Sequence, residues 1–350
     1  MRRKLRRRTA TAGSTSTLSP FPEPTPELVG SARTVLVLTG AEDPTADTVT
    51  SEITRRGVHV ARHDLGDFPA RMRFTARHGE GGWSGRIIGP EMTTDLDGLV
   101  SVYYRRPSRF TFPPGMSNAD RAYAEEEARL GVGGVLAALG CRWVNHPHDA
   151  ARAEWKPLQI EVARLCGLAT PRTLVSDDAR EAVEFAEMIG GPIVCKSLSS
   201  IVLAENSQHK IIYTTPVDPS TIDAASFAAT VHLVQEWVPK ARESRVTVVG
   251  DKVLAVAIEA DSPRAHLDWR ADYDSLRYLP VEVPTEVRAG VLAYLRAFRL
   301  HYGAFDFAIT PDGEWVMFEC NPSGQWLWLH HLAGLPIPAA LAELLTGETV

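Results

Sequence analysis

The chain has 350 residues, 44% of them hydrophobic and 23% charged, long and apolar enough for more than one core and too apolar for disorder throughout. Its formal charge of -6 includes a run of Arg2, Arg3, Lys4, Arg6, Arg7 and Arg8, so the body behind that run is twice as negative as the total, which argues against nucleic-acid binding by bulk charge. No apolar run approaches the roughly 20 residues of a membrane span, and Cys141, Cys166, Cys195 and Cys320 form no CxxC pair, against a zinc ribbon or a disulfide-stapled secreted module.

A soluble protein of the reducing cytoplasm, with neither nucleic acid nor membrane as partner, is therefore expected. Residues 1–33 are basic, then Ser/Thr-rich, then proline-punctuated (SPFPEPTPE). They cannot bury enough apolar surface to offset ordering entropy and are expected to form a disordered arm. A targeting role is the rival reading, but the arm has neither an apolar h-region nor an amphipathic stripe.

Next, TVLVLTG (Thr34–Gly40) reads as a buried strand feeding a turn. Thr45–Arg56 reads as a helix, Val58–His63 as a second strand and Gly98–Tyr104 as a third, with polar turns between them. A helix from about Asn118 to Leu139, opened by Asn and Asp before the acid-rich AEEEARL, completes an α/β lobe over residues 34–145. The GVGG inside that helix lacks the third glycine and the preceding strand of a dinucleotide fingerprint. Gly131, Gly133 and Gly134 are instead expected to permit close helix packing.

The second segment, residues 146–234, starts with an apolar periodic helix over Trp155–Leu165 that carries Lys156 at its head and ends at Gly167. A helix over Ala179–Ile189 follows, then a turn into a strand, GGPIVCKSL, that brings Lys196 among apolar neighbours. A lysine there is costly unless it meets an anion, the plainer reading being a snorkelling strand lysine.

The third segment, residues 235–350, holds two hairpins. The first turns at Gly250 and Asp251, the second at Pro311–Gly313. Antiparallel pairing in the second brings Asp306 close to Glu319, and alternation puts Glu319 and Asn321 on one face. Two carboxylates and an amide oxygen are a hard-oxygen set that suits Mg²⁺ and leaves coordination positions for phosphate and water. Histidines offer a weaker metal reading, since His146, His148, His330 and His331 have no partner at zinc spacing.

The ordered series Lys156, Lys196, QEWV, ESRVTVVGD, Asp306 and ECNPSG resembles the ATP-grasp superfamily over roughly Thr34 to the C-terminus. The resemblance implies an α/β ATP-grasp fold with an N-terminal pre-ATP-grasp domain, a central lid domain and a C-terminal ATP-grasp domain. It implies that Lys156 and Lys196 hold ATP phosphates, that backbone atoms of Glu236, Trp237 and Val238 read the adenine, and that Glu243 takes the ribose hydroxyls. Arg245 would face the γ-phosphate and acyl-phosphate, and Asp306, Glu319 and Asn321 would hold Mg²⁺. Transferring a γ-phosphoryl group to a carboxylate opposes like charges, which is the need these cations meet.

Within the superfamily, YYRRP (Tyr103–Pro107), LDWR (Leu267–Arg270) and NPSGQWLW (Asn321–Trp328) are most similar to the ribosomal-peptide maturases that make graspetides. That likeness implies a precursor peptide, leader plus acidic core, as partner, and it allows a homodimer. Such enzymes activate Asp or Glu side chains as acyl-phosphates and close ester or amide rings. Arg105 or Arg106 would pair with precursor carboxylates, the plainer reading being solvated arginines at a strand end, and Arg270 would take a substrate or phosphate role. The alternatives are a ligase adding an amino acid to a peptide or protein carboxylate, and a silent ATP-grasp binding module. The loop after Lys196, SLSSIVLAENSQHK, departs from the family in lacking glycines.

Overall fold

The computed structural model describes residues 33–199, 202–205, 208–211, 214–262, 265, 269 and 272–348. The basic arm, apart from Arg33, lies outside them, as does Arg270.

Strand β1 (Thr34–Thr39) is buried at all six residues, as expected of a β-branched run in a parallel sheet covered on both faces. Helix α1 (Pro44–Arg55) follows, its first turn capped by the Asp43 carboxylate accepting from Thr45 N and Ala46 N. Strands β2 (His59–His63) and, further on, β6 (Leu99–Arg106) lie parallel on either side of β1.

Between β2 and β6, where only polar turns are expected, the chain forms a three-stranded antiparallel sheet. Its strands are β3 (Arg73–Gly79), β4 (Gly82–Ile88) and β5 (Thr93–Asp95). Both of its long strands are largely exposed, so the apolar alternation that marks a half-buried strand is too weak to read.

Helix α2 (Asn118–Ala137) is capped by Ser117, and its first-turn acid is Asp120 rather than the Glu125–Glu127 run. A Cβ added at Gly131, Gly133 or Gly134 would meet nothing within 4 Å, so these glycines do not serve close packing. The helix is seated instead by Val132, Val135 and Leu136 on Leu36, Leu38 and Trp143. Strand β7 (Arg142–Val144) extends the parallel sheet to the order β2-β1-β6-β7.

Helices α3 (Pro147–Ala153) and α4 (Lys156–Leu165) come next, then β8 (Thr173–Ser176), α5 (Ala179–Ile189) and β9 (Ile193–Lys196). The segment after Lys196 contains an antiparallel pair, β10 (Val202–Glu205) and β11 (Gln208–Ile211). After β12 (Thr215–Val217), the short α6 (Ala224–Phe227) and β13 (His232–Glu236), an antiparallel sheet of order β12-β9-β13-β8 is complete.

The last part contains β14 (Arg242–Val249), β15 (Lys252–Ala260), β16 (Leu276–Pro280), α7 (Thr285–Phe298), β17 (Tyr302–Ile309), β18 (Trp315–Asn321), α8 (Leu327–Ala333) and α9 (Ile337–Thr346). Both expected hairpins form. Gly250 (φ 60°) and Gly313 (φ 90°) hold left-handed turn positions that a side chain would strain. The sheet order is β16-β15-β14-β17-β18, with α4 and α7 on one face through Val162, Val291, Tyr294 and Phe298.

The opposite face merges with the N-terminal lobe. Val35, Val37, Val49 and Ile53 share a core with Val256, Tyr302, Trp326, Leu341 and Leu345. Helix α9 is buried along most of its length, and its last carbonyls accept from the first sheet: Leu344 O from Arg142 Nη1 at 2.5 Å, Leu345 O from Ser101 Oγ at 2.7 Å, and Thr346 O from Arg33. These are the acceptors a helix C-terminus leaves unpaired, and two of the donors are guanidinium groups that suit its negative end. Among the described residues no helix is long and apolar enough to cross a membrane, and all four cysteines are thiols without a disulfide.

Candidate active site

The pairing of three strands sets the centre of the site. Arg245 on β14 stands opposite Asp306 on β17, which in turn stands opposite Glu319 on β18. Arg245 Nη1 donates to Asp306 Oδ1 at 2.7 Å, with both groups buried. Asn321 brings its amide to 3.4 Å from both Asp306 Oδ2 and Glu319 Oε1.

A bulge makes this row possible. The register slips between Asp306 and Phe307, so that Asp306 faces Glu319 while Phe307 faces Met317 and Phe318 is passed over. Without the slip, Met317 and Glu319 would share a face. With it, Met317 enters the α4/α7 core while Phe318 and Glu319 both turn toward the site, which is how an inserted residue re-aims its neighbours.

Three lysines converge on the row from other elements. Lys156, the first residue of α4, donates to Glu319 Oε2. Lys196, the last residue of β9, holds its ammonium 4.1 Å from the centre of the Phe318 ring, a favourable placement for a cation on an aromatic face. Burial pushes the Lys196 ammonium down to about 8, against the pull of Glu319 and Glu243.

Lys240, in the link between β13 and β14, donates to Glu243 Oε1 at 2.6 Å and lies 5.4 Å from the Trp237 ring and 5.8 Å from Phe318. Lys240 is not marked by any motif in the sequence. Its signal is the three-residue spacing to Glu243, which carries meaning only once both side chains are seen to be buried. Four cationic groups thus stand among three carboxylates, a balance that suits an incoming polyanion with its metal.

The residues also fit the groups they are expected to hold. Among the described residues, Arg245 Nε is buried without a hydrogen-bond partner, a donor of the kind an anionic oxygen satisfies. Asn321 Nδ2 donates to Asp306 Oδ2 and Glu319 Oε1, both at 3.4 Å, which draws the two carboxylates together; with that amide turned over, its oxygen would join them in the hard oxygen set Mg²⁺ prefers. Gln159 fixes this end of β18. Its amide donates to Ala153 O and Cys320 O at 2.7 and 2.9 Å, and accepts from Cys320 N at 2.9 Å.

The other expected residues are distributed around this centre. In the β13–β14 link, Glu236 N donates to Arg172 O and Trp237 N to Pro192 O, so neither N–H can serve an adenine ring without giving up a bond. The Glu236 carboxylate meets Arg172 Nε at 2.6 Å. Val238 is buried beside Ala308, Val316 and Phe318.

Arg105 and Arg106 part company. Arg105, only 5% exposed, donates to Ser323 O at 3.2 Å and to Gln325 Oε1 at 2.5 Å, with Asp43 at 3.8 Å. It therefore faces the loop that follows Asn321 rather than a peptide. Arg106 is exposed and lines a cleft of about 390 Å³ with Thr39, Asp43, Gln325 and Trp328. Arg270 lies outside the described residues, but its neighbour Trp269 is buried, 5.5 Å from the Trp328 ring and 5.9 Å from the Arg245 guanidinium.

Residues 34–151 match a family model described as the MvdD pre-ATP grasp domain. Among solved structures, the chain is similar to a RiPP-associated ATP-grasp ligase of Chryseobacterium gregarium, in complex with ADP and a leader and core peptide. That likeness is 25% identity and a TM-score of 0.84, over 91% of this chain and 98% of that one. Macrocyclase MdnC of Microcystis aeruginosa MRC, bound with precursor peptide MdnA, is similar at 28% identity and a TM-score of 0.77, over 90% and 100%. Macrocyclase MdnB of the same organism is similar at 25% identity and a TM-score of 0.74, over 89% and 99%. No curated protein matches.

Proposed function

We propose, from an ATP-grasp fold similar to that of ligases acting on ribosomal peptides, that this chain is an ATP-dependent ligase acting on a ribosomal precursor peptide. It activates Asp or Glu side chains as acyl-phosphates and closes intramolecular ester or amide links. The observation that carries the reading is the Arg245–Asp306–Glu319 row, with Asn321 beside it and Lys156, Lys196 and Lys240 converging on it. The peptide substrate is inferred from the leader and precursor peptides bound by the similar ligases.

Lys156 and Lys196 would hold the phosphates of ATP, Glu243 the ribose, and the carbonyl side of the β13–β14 link the adenine. Arg245 would neutralise charge on the transferring phosphoryl group from beside Asp306. Mg²⁺, held by Asp306, Glu319 and Asn321, would supply charge neutralisation between phosphates and carboxylate. Arg106 would orient a core carboxylate from the cleft beside α8, because guanidinium binds carboxylate in a forked geometry. Holding the attacking hydroxyl or amine next to the activated carbonyl would supply much of the remaining rate.

The test is mass spectrometry of candidate precursor peptides, each a leader with an Asp/Glu-rich core, incubated with the protein, ATP and Mg²⁺. Each closure is expected to remove one water from the peptide and to release one ADP and one phosphate. AMP and pyrophosphate would overturn the acyl-phosphate chemistry. A gain of one amino acid per turnover in place of the lost water would move the chain to the amino-acid-adding ligases.

A further inference from the structure

We infer that Lys156 occupies the place of the metal at Glu319 until nucleotide arrives, so that metal and nucleotide bind in a coupled exchange. The inference rests on the reading of this site as one for Mg²⁺ and ATP, and it adds a second task for Lys156 beyond contact with phosphate.

Four observations support it. The Lys156 ammonium is bonded to Glu319 Oε2, so it already neutralises the charge a divalent cation would use there and repels a second cation at that oxygen. Lys156 also opens the ten-residue helix α4, the end at which a positive charge is least favoured, so a nearby anion is what holds its ammonium there.

The backbone around the pair is fixed as well. Gln159, one turn along α4, is tied to both the N–H and the carbonyl of Cys320, next to Glu319. An exchange must therefore run through the flexible lysine stem rather than through movement of α4 or β18.

Finally, the two ion pairs of the row differ. The side chains of Lys156 and Glu319 are 20% and 19% exposed, against 7% and 13% for Arg245 and Asp306. Arg245 can receive an anion on Nε, which has no partner among the described residues, while staying bonded to Asp306. Lys156 competes with a metal for the charge of the Glu319 carboxylate as long as it stays bonded to it. Phosphate oxygens offer the ammonium a replacement anion, and its departure opens the carboxylate. By linkage, the factor by which nucleotide tightens metal binding equals the factor by which metal tightens nucleotide binding, typically about 5- to 150-fold.

The experiment measures Mn²⁺ binding to the nucleotide-free full-length protein by electron paramagnetic resonance, and ADP binding in the presence of a chelator by calorimetry. Lys156→Met and Lys156→Gln are expected to bind Mn²⁺ about tenfold more tightly than the unmodified protein and to bind metal-free ADP more weakly. Lys156→Arg, which keeps the charge, is expected to leave Mn²⁺ binding weak. Glu319→Gln identifies the site by abolishing the gain in the Lys156→Met background. Unchanged Mn²⁺ affinity in both neutral variants, with ADP still bound by the unmodified protein, overturns the exchange and leaves the nucleotide site standing. If no form binds ADP, or Mn²⁺ in a Glu319-dependent way, the reading of the site falls and the exchange with it.

Discussion

Lys196 is half-buried with its ammonium against the Phe318 ring, and its lowered value of about 8 has a consequence for binding. A polyanion favours the charged amine, so nucleotide binding raises that value and draws in a proton wherever the unliganded amine is neutral. ADP affinity should therefore be level below about pH 7 and fall by up to about tenfold per pH unit above 8. Calorimetry in buffers of different ionisation enthalpy should register proton uptake near pH 8.5, and Lys196→Arg, charged throughout, should remove both effects. A flat affinity up to pH 9.5 in the unmodified protein would contradict the placement. At Glu319 the expectation is a loss of at least ~10²-fold in turnover on substitution by Ala, the scale of a principal electrostatic stabiliser. Full peptide dehydration by that variant would remove Glu319 from the metal site. That Lys156, Lys196, Asp306, Glu319 and Asn321 come together was legible in the chain because each lies on an element whose pattern is strong. Lys240 and Arg105 were not, since burial, and in the case of Arg105 a partner more than 200 residues away, decides what they do.

Among the elements, the loop that runs from Asn321 to Gln325 shows how the first lobe reaches the site. Arg105 at the end of β6 holds Ser323 and Gln325, and Asn145, just after β7, donates to both Tyr302 O and Pro322 O at 2.8 and 2.7 Å. Removing the buried Arg105 guanidinium takes the donor from Ser323 O and leaves Gln325 Oε1 with only the long 3.5 Å contact from the Thr45 hydroxyl. Arg105→Ala should therefore lower unfolding free energy by about 2 kcal/mol, whereas Arg106→Ala, on the surface of the cleft, should change it by less than about 0.5 kcal/mol. Denaturant unfolding of the two variants measures the contrast, and peptide kinetics should show the opposite order at low substrate, with Arg106→Ala the more impaired relative to its stability. Equal stability losses would mean that the two arginines share one environment. The hairpins that carry the site were readable from Gly250–Asp251 and Pro311–Gly313, because turn chemistry is local. The bulge at Phe318 was not, since a slipped register leaves no mark in a sequence whose alternation already puts Glu319 and Asn321 together. The β3–β4–β5 sheet escaped for a different reason: its strands bury little, and burial is what writes a periodic pattern.

For the whole molecule, the joint core of α1, β1 and α9 means that the first and last parts of the chain stabilise each other. Deleting residues 1–31 keeps Arg33 and its bond to Thr346, and should leave the thermal midpoint and ATP turnover nearly unchanged. Cutting the chain after Gly334 takes away Ile337, Leu341 and Leu345 from beside Val49 and Ile53. That should abolish cooperative unfolding of the N-terminal lobe, because each lost buried aliphatic side chain costs about 2–5 kcal/mol where a cavity results. Circular dichroism melts of the two truncations measure the difference, and a stable shortened protein would show that the lobe stands alone. The α/β character and the ATP-grasp likeness could be read from spaced motifs. The joining of the two ends could not, because the apolar face of α1 carries no record of which distant helix covers it. The same arrangement bears on how the protein is made. Strand β1 and α1 leave the ribosome well before α9, which follows roughly 280 residues later, a wait of roughly 15 to 60 s at ordinary elongation rates. Through that interval the nascent lobe carries an uncovered apolar face, so the step at which this protein most needs a chaperone is set by the position of its last helix.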